Sequence, residues 1–274
     1  MNRATVEERF LKVTKRFAKL SGVWPEQNKF VKFLLWAMVD ITMASSIILQ
    51  TARVIHIGTL DVVIEQSSLI GAMILMIIKH GNYLVNATKL ESLLNDMSED
   101  WATNRMKEEF EIMTTYANRG SFLAKFYSVN DSLSANAGVL TLIFIQMPWS
   151  PRLIHMLKHQ NTSPPLIYSI PSYYFVEDDR EYFYYIQLYL SLCVYVVLVV
   201  FVSCDTLYMV LVQHGCGLLT VAGYRFKNAV KKNFLGAKCT ETKEVHESVW
   251  YSICGHQKAI ASVLLRDCIS YHPH

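Results

Sequence analysis

From Tyr182 to Cys204 the chain reads YFYYIQLYLSLCVYVVLVVFVSC, 23 residues without a single charge. As a helix rising about 1.5 Å per residue, this run would reach roughly 34 Å, slightly more than the hydrocarbon thickness of a bilayer. Uncharged runs of this length are rare in soluble folds, so the chain is expected to be a helical membrane protein. The flanks differ in sign: Glu177, Asp178, Asp179 and Glu181 precede the run, and Arg225, Lys227, Lys231 and Lys232 follow it. Basic residues favour the cytoplasmic side, which points the start of this span outward and its end inward.

Composition agrees with that class. Of the 274 residues 52% are hydrophobic and 18% charged, below the quarter or so usual for soluble domains. A net charge of +3 is too small to draw nucleic acid, and no such partner is expected. All six cysteines fall at or after Cys193, none in the segments assigned to the outside, and no C-x-x-C pair points to zinc. The first twenty residues, MNRATVEERFLKVTKRFAKL, lack the apolar centre of a signal peptide.

Taken in order, residues 1–32 are read as a cytoplasmic N-terminus, with Val6, Phe10, Val13, Phe17 and Leu20 at helical spacing. The pattern predicts an amphipathic helix lying on the inner membrane surface, ending at Gly22-Val23-Trp24-Pro25 with Trp24 at headgroup level. An ordinary surface helix accounts for the same residues almost as well. Span one covers 33–55 and contains Asp40, whose carboxylate needs a polar partner at that depth. Span two covers 62–85, with Lys79 expected to snorkel inward. Residues 86–120 carry mixed charge over a helical apolar repeat and are read as a cytoplasmic loop. Span three covers 122–149 and passes Asp131. An outer loop follows over 150–181, then span four over 182–212. Residues 213–274 form a cytoplasmic helix and loop and the start of a fifth span. The fold class expected is therefore all-α, a polytopic transmembrane helical bundle with a cytoplasmic N-terminus, four full spans and the start of a fifth helix. Of 26 Lys and Arg residues, 21 fall in residues 1–32, in the region from Lys79 to Lys125 or in that from Arg225 to Lys258, all counted with the inside, and three fall in the outer loop.

No catalytic arrangement emerges. His246-Glu247-Ser248-Val249-Trp250 opens like a zinc-protease H-E-x-x-H, but Trp250 stands where the second ligand belongs. Phosphate-binding glycine loops and the G-x-S-x-G nucleophile turn are missing, and His155 and His159 have no nearby third ligand. The chain is expected not to be an enzyme, with neither cofactor nor metal. Asn161-Thr162-Ser163 is a glycosylation sequon in the outer loop, so Asn161 is a candidate for modification.

Several segments together resemble the insect odorant receptors, in the style of the large hymenopteran expansion. They are LSGVWP at 20–25, LLNDMSEDW ending at Trp101 and followed by EEFEIMTTYANRG, the outer-loop SYYF, and LVQHGCGLLTVAGYRFKNAV after span four. The likeness extends over nearly the whole chain. The rhodopsin-like features, an Asp-Arg-Tyr after span three and a cysteine pair tying that span to the outer loop, are not present. The resemblance implies a subunit of a seven-span, ligand-gated cation channel, tetrameric with a shared co-receptor, surrounded by membrane lipid in the plasma membrane of olfactory sensory neurons. It implies a pocket for a small volatile odorant in the outer half of the spans, drawing on Gln66, Ile70 and Met73 of span two, Gly138, Leu142 and Gln146 of span three, and Tyr185, Leu188, Tyr189 and Leu192 of span four. Members of the family continue through spans five to seven, so the resemblance places the pore-lining segment beyond residue 274. A gustatory receptor with the same topology, and a four-span membrane protein that is not a channel, are the competing expectations.

Overall fold

The computed structural model describes residues 3–103, 106–145, 170–176 and 181–234, together with 250, 253 and 257. Among them regular structure is helical throughout: α1 (Arg3–Phe10), α2 (Lys12–Leu20), α3 (Lys29–Ile57), α4 (Leu60–Val85), α5 (Ala87–Ala102), α6 (Lys107–Ile145) and α7 (Phe183–Phe234). The all-α bundle expected from the sequence is what forms.

Local chemistry sets the breaks. Asn28 caps α3 by accepting from the Phe30 amide at 2.9 Å. Gly58-Thr59 turns the chain, and Asp61 lies in the first turn of α4, where the amide dipoles favour an acid. The α4–α5 break falls at Asn86, whose side chain donates to the Asn82 carbonyl at 3.0 Å.

Three of the described helices are long and apolar enough to cross a membrane: α3, α4 and the part of α7 from Phe183 to Asn228. Only 17% and 11% of the most apolar windows of α3 and α4 is buried, and Phe33, Ile41, Ile48, Ile64, Leu75 and Ile78 stand exposed on them. A surface so apolar belongs against lipid or other subunits. Expected spans one, two and four thus lie within α3, α4 and α7. Expected span three lies along α6, where Lys125 and Asp131 interrupt the apolar run, and its last residues, 146–149, are outside the described residues.

At 52 residues, α7 is about 78 Å long, more than twice a bilayer core. One buried stripe follows it: Val196, Val200, Cys204, Leu207, Leu211, Leu218 and Val221, at the three-, four- and seven-residue intervals that keep a helix face in register. Against this stripe packs α6, itself 39 residues long.

Beyond the apolar section, these two helices are joined by α1, α2 and α5 in a second bundle. Phe10 stacks on Trp101 with ring centroids 5.1 Å apart, and Phe110 meets Trp101 edge-on at 5.7 Å. Arg225 of α7 grips Glu109 of α6 with two bonds of 2.7 Å. His214 lies 3.2 Å from Asp100 of α5. The helical loop read from the sequence over 86–120 contains α5 and the start of α6.

The N-terminal helices depart from the sequence reading. Val6, Phe10, Leu11, Thr14 and Ala18 are buried in protein, so this amphipathic face packs on α5, α6 and α7 and does not lie on the membrane. Trp24 is fully buried as well, away from any headgroup layer. The LSGVWP turn inserts among the long helices: Ser21 Oγ and Ser203 Oγ are 2.8 Å apart, and the Ser21 carbonyl is 2.9 Å from His80 Nε2. Gly22 makes the insertion possible. Its φ is +74°, and a Cβ there would stand 3.0 Å from the Lys32 carbonyl oxygen.

Candidate functional site

Charged side chains in the apolar section have no water to turn to, and each must find a partner in the protein. Asp40 of α3 has its Oδ1 3.7 Å from Nδ1 of the fully buried His80 of α4, near it but beyond hydrogen-bond distance. Lys79 does not snorkel inward, as the sequence reading had it, but pairs with Asp205 of α7. A carboxylate within reach solves the same problem that snorkelling would. The other oxygen of Asp205 accepts from the Tyr127 hydroxyl of α6 at 2.9 Å. Three helices are thereby pinned at one level, and the Lys79 ammonium lies 5.7 Å from the Phe201 ring centroid.

Immediately beside this polar junction is a cavity of about 270 Å³. Met73 enters it from α4 and Asp131 from α6, while Ile170 comes from the segment 170–176. On α7 it is bounded by Cys193, Val194, Val197, Leu198 and Phe201, which recur at helical spacing along one strip. Asp131 is the sole charged group in an otherwise apolar lining. The size lies just under the range of about 300–1,000 Å³ typical of drug-sized ligands, which suits a smaller apolar molecule.

The segment 170–176 forms one wall. Ile170 packs with Ile186 and Leu190 of α7, and Leu69, Tyr174, Val176, Tyr189 and Val194 close around them. Three polar ties hold the segment. The Gln66 amide donates to the Pro171 carbonyl at 3.0 Å, the Tyr173 amide to the Leu49 carbonyl at 3.2 Å, and the Tyr174 hydroxyl to the Ile170 carbonyl at 2.7 Å. Tyr173 also stacks on His56 of α3, with centroids 4.4 Å apart. Phe175 adopts φ +57°, unusual for a residue with a Cβ, at the bend that follows.

Of the sequence-derived pocket residues, Met73 lines the cavity. Gln66 and Tyr189 stand in its wall: Gln66 is buried and ties down the 170–176 segment, and the Tyr189 hydroxyl lies 2.7 Å from Ser45 Oγ of α3. Ile70 is half-buried on α4. Tyr185, Leu188 and Leu192 are not brought to the cavity; they are exposed along another face of α7, and Gly138 is exposed on α6. Leu142 belongs to α6, while Gln146 and Asn161 lie outside the described residues. Sequence reading missed Cys193, Val197, Leu198 and Phe201, because apolar residues surround this part of α7 and nothing in their type separates the cavity strip from the outer face. The polar junction did have a signal: α4 and α7 run in the same direction, and Lys79 and Asp205 fall at similar distances from their starts.

Among the described residues, no group of three or more His, Cys, Asp or Glu side chains could hold a metal ion. Among the described residues the arrangement offers an apolar cavity beside a buried ion pair.

A family model described as 7tm Odorant receptor matches residues 59–274. Among solved structures the chain is similar to the insect olfactory receptor OR5 from Machilis hrabei, with a TM-score of 0.56 and 12% sequence identity, covering 98% of this chain and 70% of that one. At this identity the likeness is one of fold. No curated protein matches the chain by sequence.

Proposed function

This chain belongs to the 7tm odorant receptor family, and on that premise we propose that the cavity between α4, α6 and α7 receives a small volatile odorant and that the chain serves as a ligand-detecting subunit of a cation channel. Membership makes it a multi-pass membrane receptor and not an enzyme. The observation that carries the ligand site is the chamber itself: about 270 Å³, almost wholly apolar, lined by Met73 and Val197 and walled by the 170–176 segment. Met73 contacts the odorant in this reading. Gln66 and Tyr189 act through the wall, and Ile70 lies behind it. The exposed Tyr185, Leu188 and Leu192 face lipid or a neighbouring subunit.

The finer parts of the proposal rest on the family and on charge. The subunit joins a shared co-receptor in a tetramer within the plasma membrane of olfactory sensory neurons. Its N-terminus is cytoplasmic, supported by the concentration of Lys and Arg in residues 1–32, 86–120 and 213–274.

Binding tests the central part directly. With the chain in lipid nanodiscs, short volatile alcohols, esters and amines are expected to displace a fluorescent apolar probe saturably. A folded chain from which none of them displaces the probe contradicts the reading. Odorant-evoked current on co-expression with the co-receptor, above that of the co-receptor alone, tests the assembly.

A further inference from the structure

Asp131 is the charged residue of the chamber, and the Tyr127 hydroxyl beside it is shared with Asp205. Nearby stand one cation, Lys79, and two carboxylates, Asp131 and Asp205. Lys79 is paired with Asp205, and Tyr127, placed between the carboxylates, donates to Asp205 at 2.9 Å. The Asp131 Oδ2 atom is buried and has no hydrogen-bond partner among the described residues. A carboxylate oxygen without a donor at membrane depth is expensive, and such groups mark ligand paths more often than packing.

We propose that the chamber is selective for a short alkylamine, its protonated nitrogen held by Asp131 Oδ2 and its hydrocarbon chain lying along Met73, Val194 and Val197. The ammonium supplies both a missing donor and the charge that balances Asp131 after Lys79 has been taken by Asp205. The apolar strip supplies no second polar contact, so the ligand carries its polarity at one end. An alcohol offers the donor without the charge and binds less well; an alkane offers neither. This inference rests on the odorant-site reading above and narrows it to one ligand chemistry.

The test uses hexylamine, hexanol and hexane as competitors for the apolar probe on the whole chain in nanodiscs near neutral pH, where the amine is protonated. Hexylamine is expected to bind more tightly than hexanol, and hexanol more tightly than hexane. In Asp131→Asn, which keeps shape and removes charge, the affinity for hexylamine is expected to fall about tenfold to a hundredfold, as for loss of a charge-assisted hydrogen bond, while that for hexane stays unchanged. The preference in the unaltered chain needs no variant, so a poorly folded Asp131→Asn leaves the proposal open to refutation. Equal affinity for hexylamine and hexane overturns the amine inference and leaves the odorant site standing. Binding of none of the three by folded protein overturns both.

Discussion

Lys79 of α4 and Asp205 of α7 form an ion pair between two long, largely apolar helices. Each charge would be costly there alone. Joined, and with Tyr127 on the second carboxylate oxygen, they fix the relative height of α4, α6 and α7 and so the shape of the chamber beside them. Lys79→Met alone is expected to destabilise the protein by about 2.5–3.5 kcal/mol, as for a charge left without a partner within the bilayer. The double variant Lys79→Met with Asp205→Leu recovers most of that loss. Thermal unfolding in detergent of the two single variants and the double one checks this; a double variant as unstable as the sum of the singles would contradict it.

Gly22 holds the LSGVWP turn in a left-handed conformation against the Lys32 carbonyl. Gly22→Ala puts a Cβ into both the strained φ and the close contact, and is expected to destabilise by about 1–3 kcal/mol. Because Ser21 and the buried Trp24 depend on the same turn, surface delivery should fall in step with the melting temperature. Unaltered melting would show that the insertion is not needed.

Arg225 reaches Glu109 with two parallel bonds, and the Glu109 side chain is only 3% exposed. A lysine cannot reproduce that fork, so Arg225→Lys should cost about 1–3 kcal/mol even though charge is kept. Arg225→Ala, leaving a buried carboxylate alone, should cost about 3–5 kcal/mol. The order of the two in an unfolding titration is the point at issue.

How much of this was legible in the sequence depends on whether a residue's type reveals its surroundings. The uncharged run of α7 could be recognised because length and lack of charge alone define it. Lys79 and Asp40 stood out for the opposite reason, as charges in apolar text, although their surroundings came only with the fold. The face of α7 was hidden: Leu188 and Leu192 are as apolar as Val197 and Leu198, and lipid selects for the same chemistry as an apolar cavity. The N-terminal pattern misled in a related way. Val6 and Phe10 have the spacing that suits a membrane surface, and a protein surface on α5 and α6 accepts it equally well. Ile170, far from the helices in sequence terms, had no periodic signal at all.

The proposed orientation rests on the distribution of Lys and Arg. An epitope after Met1 is expected to stay protected in intact cells, while one placed at Asn161 is reachable from outside. Staining of the Met1 epitope without permeabilisation would reverse the topology.

Filling the chamber asks most directly whether it is the binding site. Val197 lines it from α7, and Val197→Trp fills much of the roughly 270 Å³ with side chain while leaving the Lys79–Asp205 junction intact. Displacement of the apolar probe by hexanol should be abolished in this variant, with helix content and melting temperature close to those of the unaltered chain. Undiminished displacement by a folded Val197→Trp protein would mean that odorants bind elsewhere.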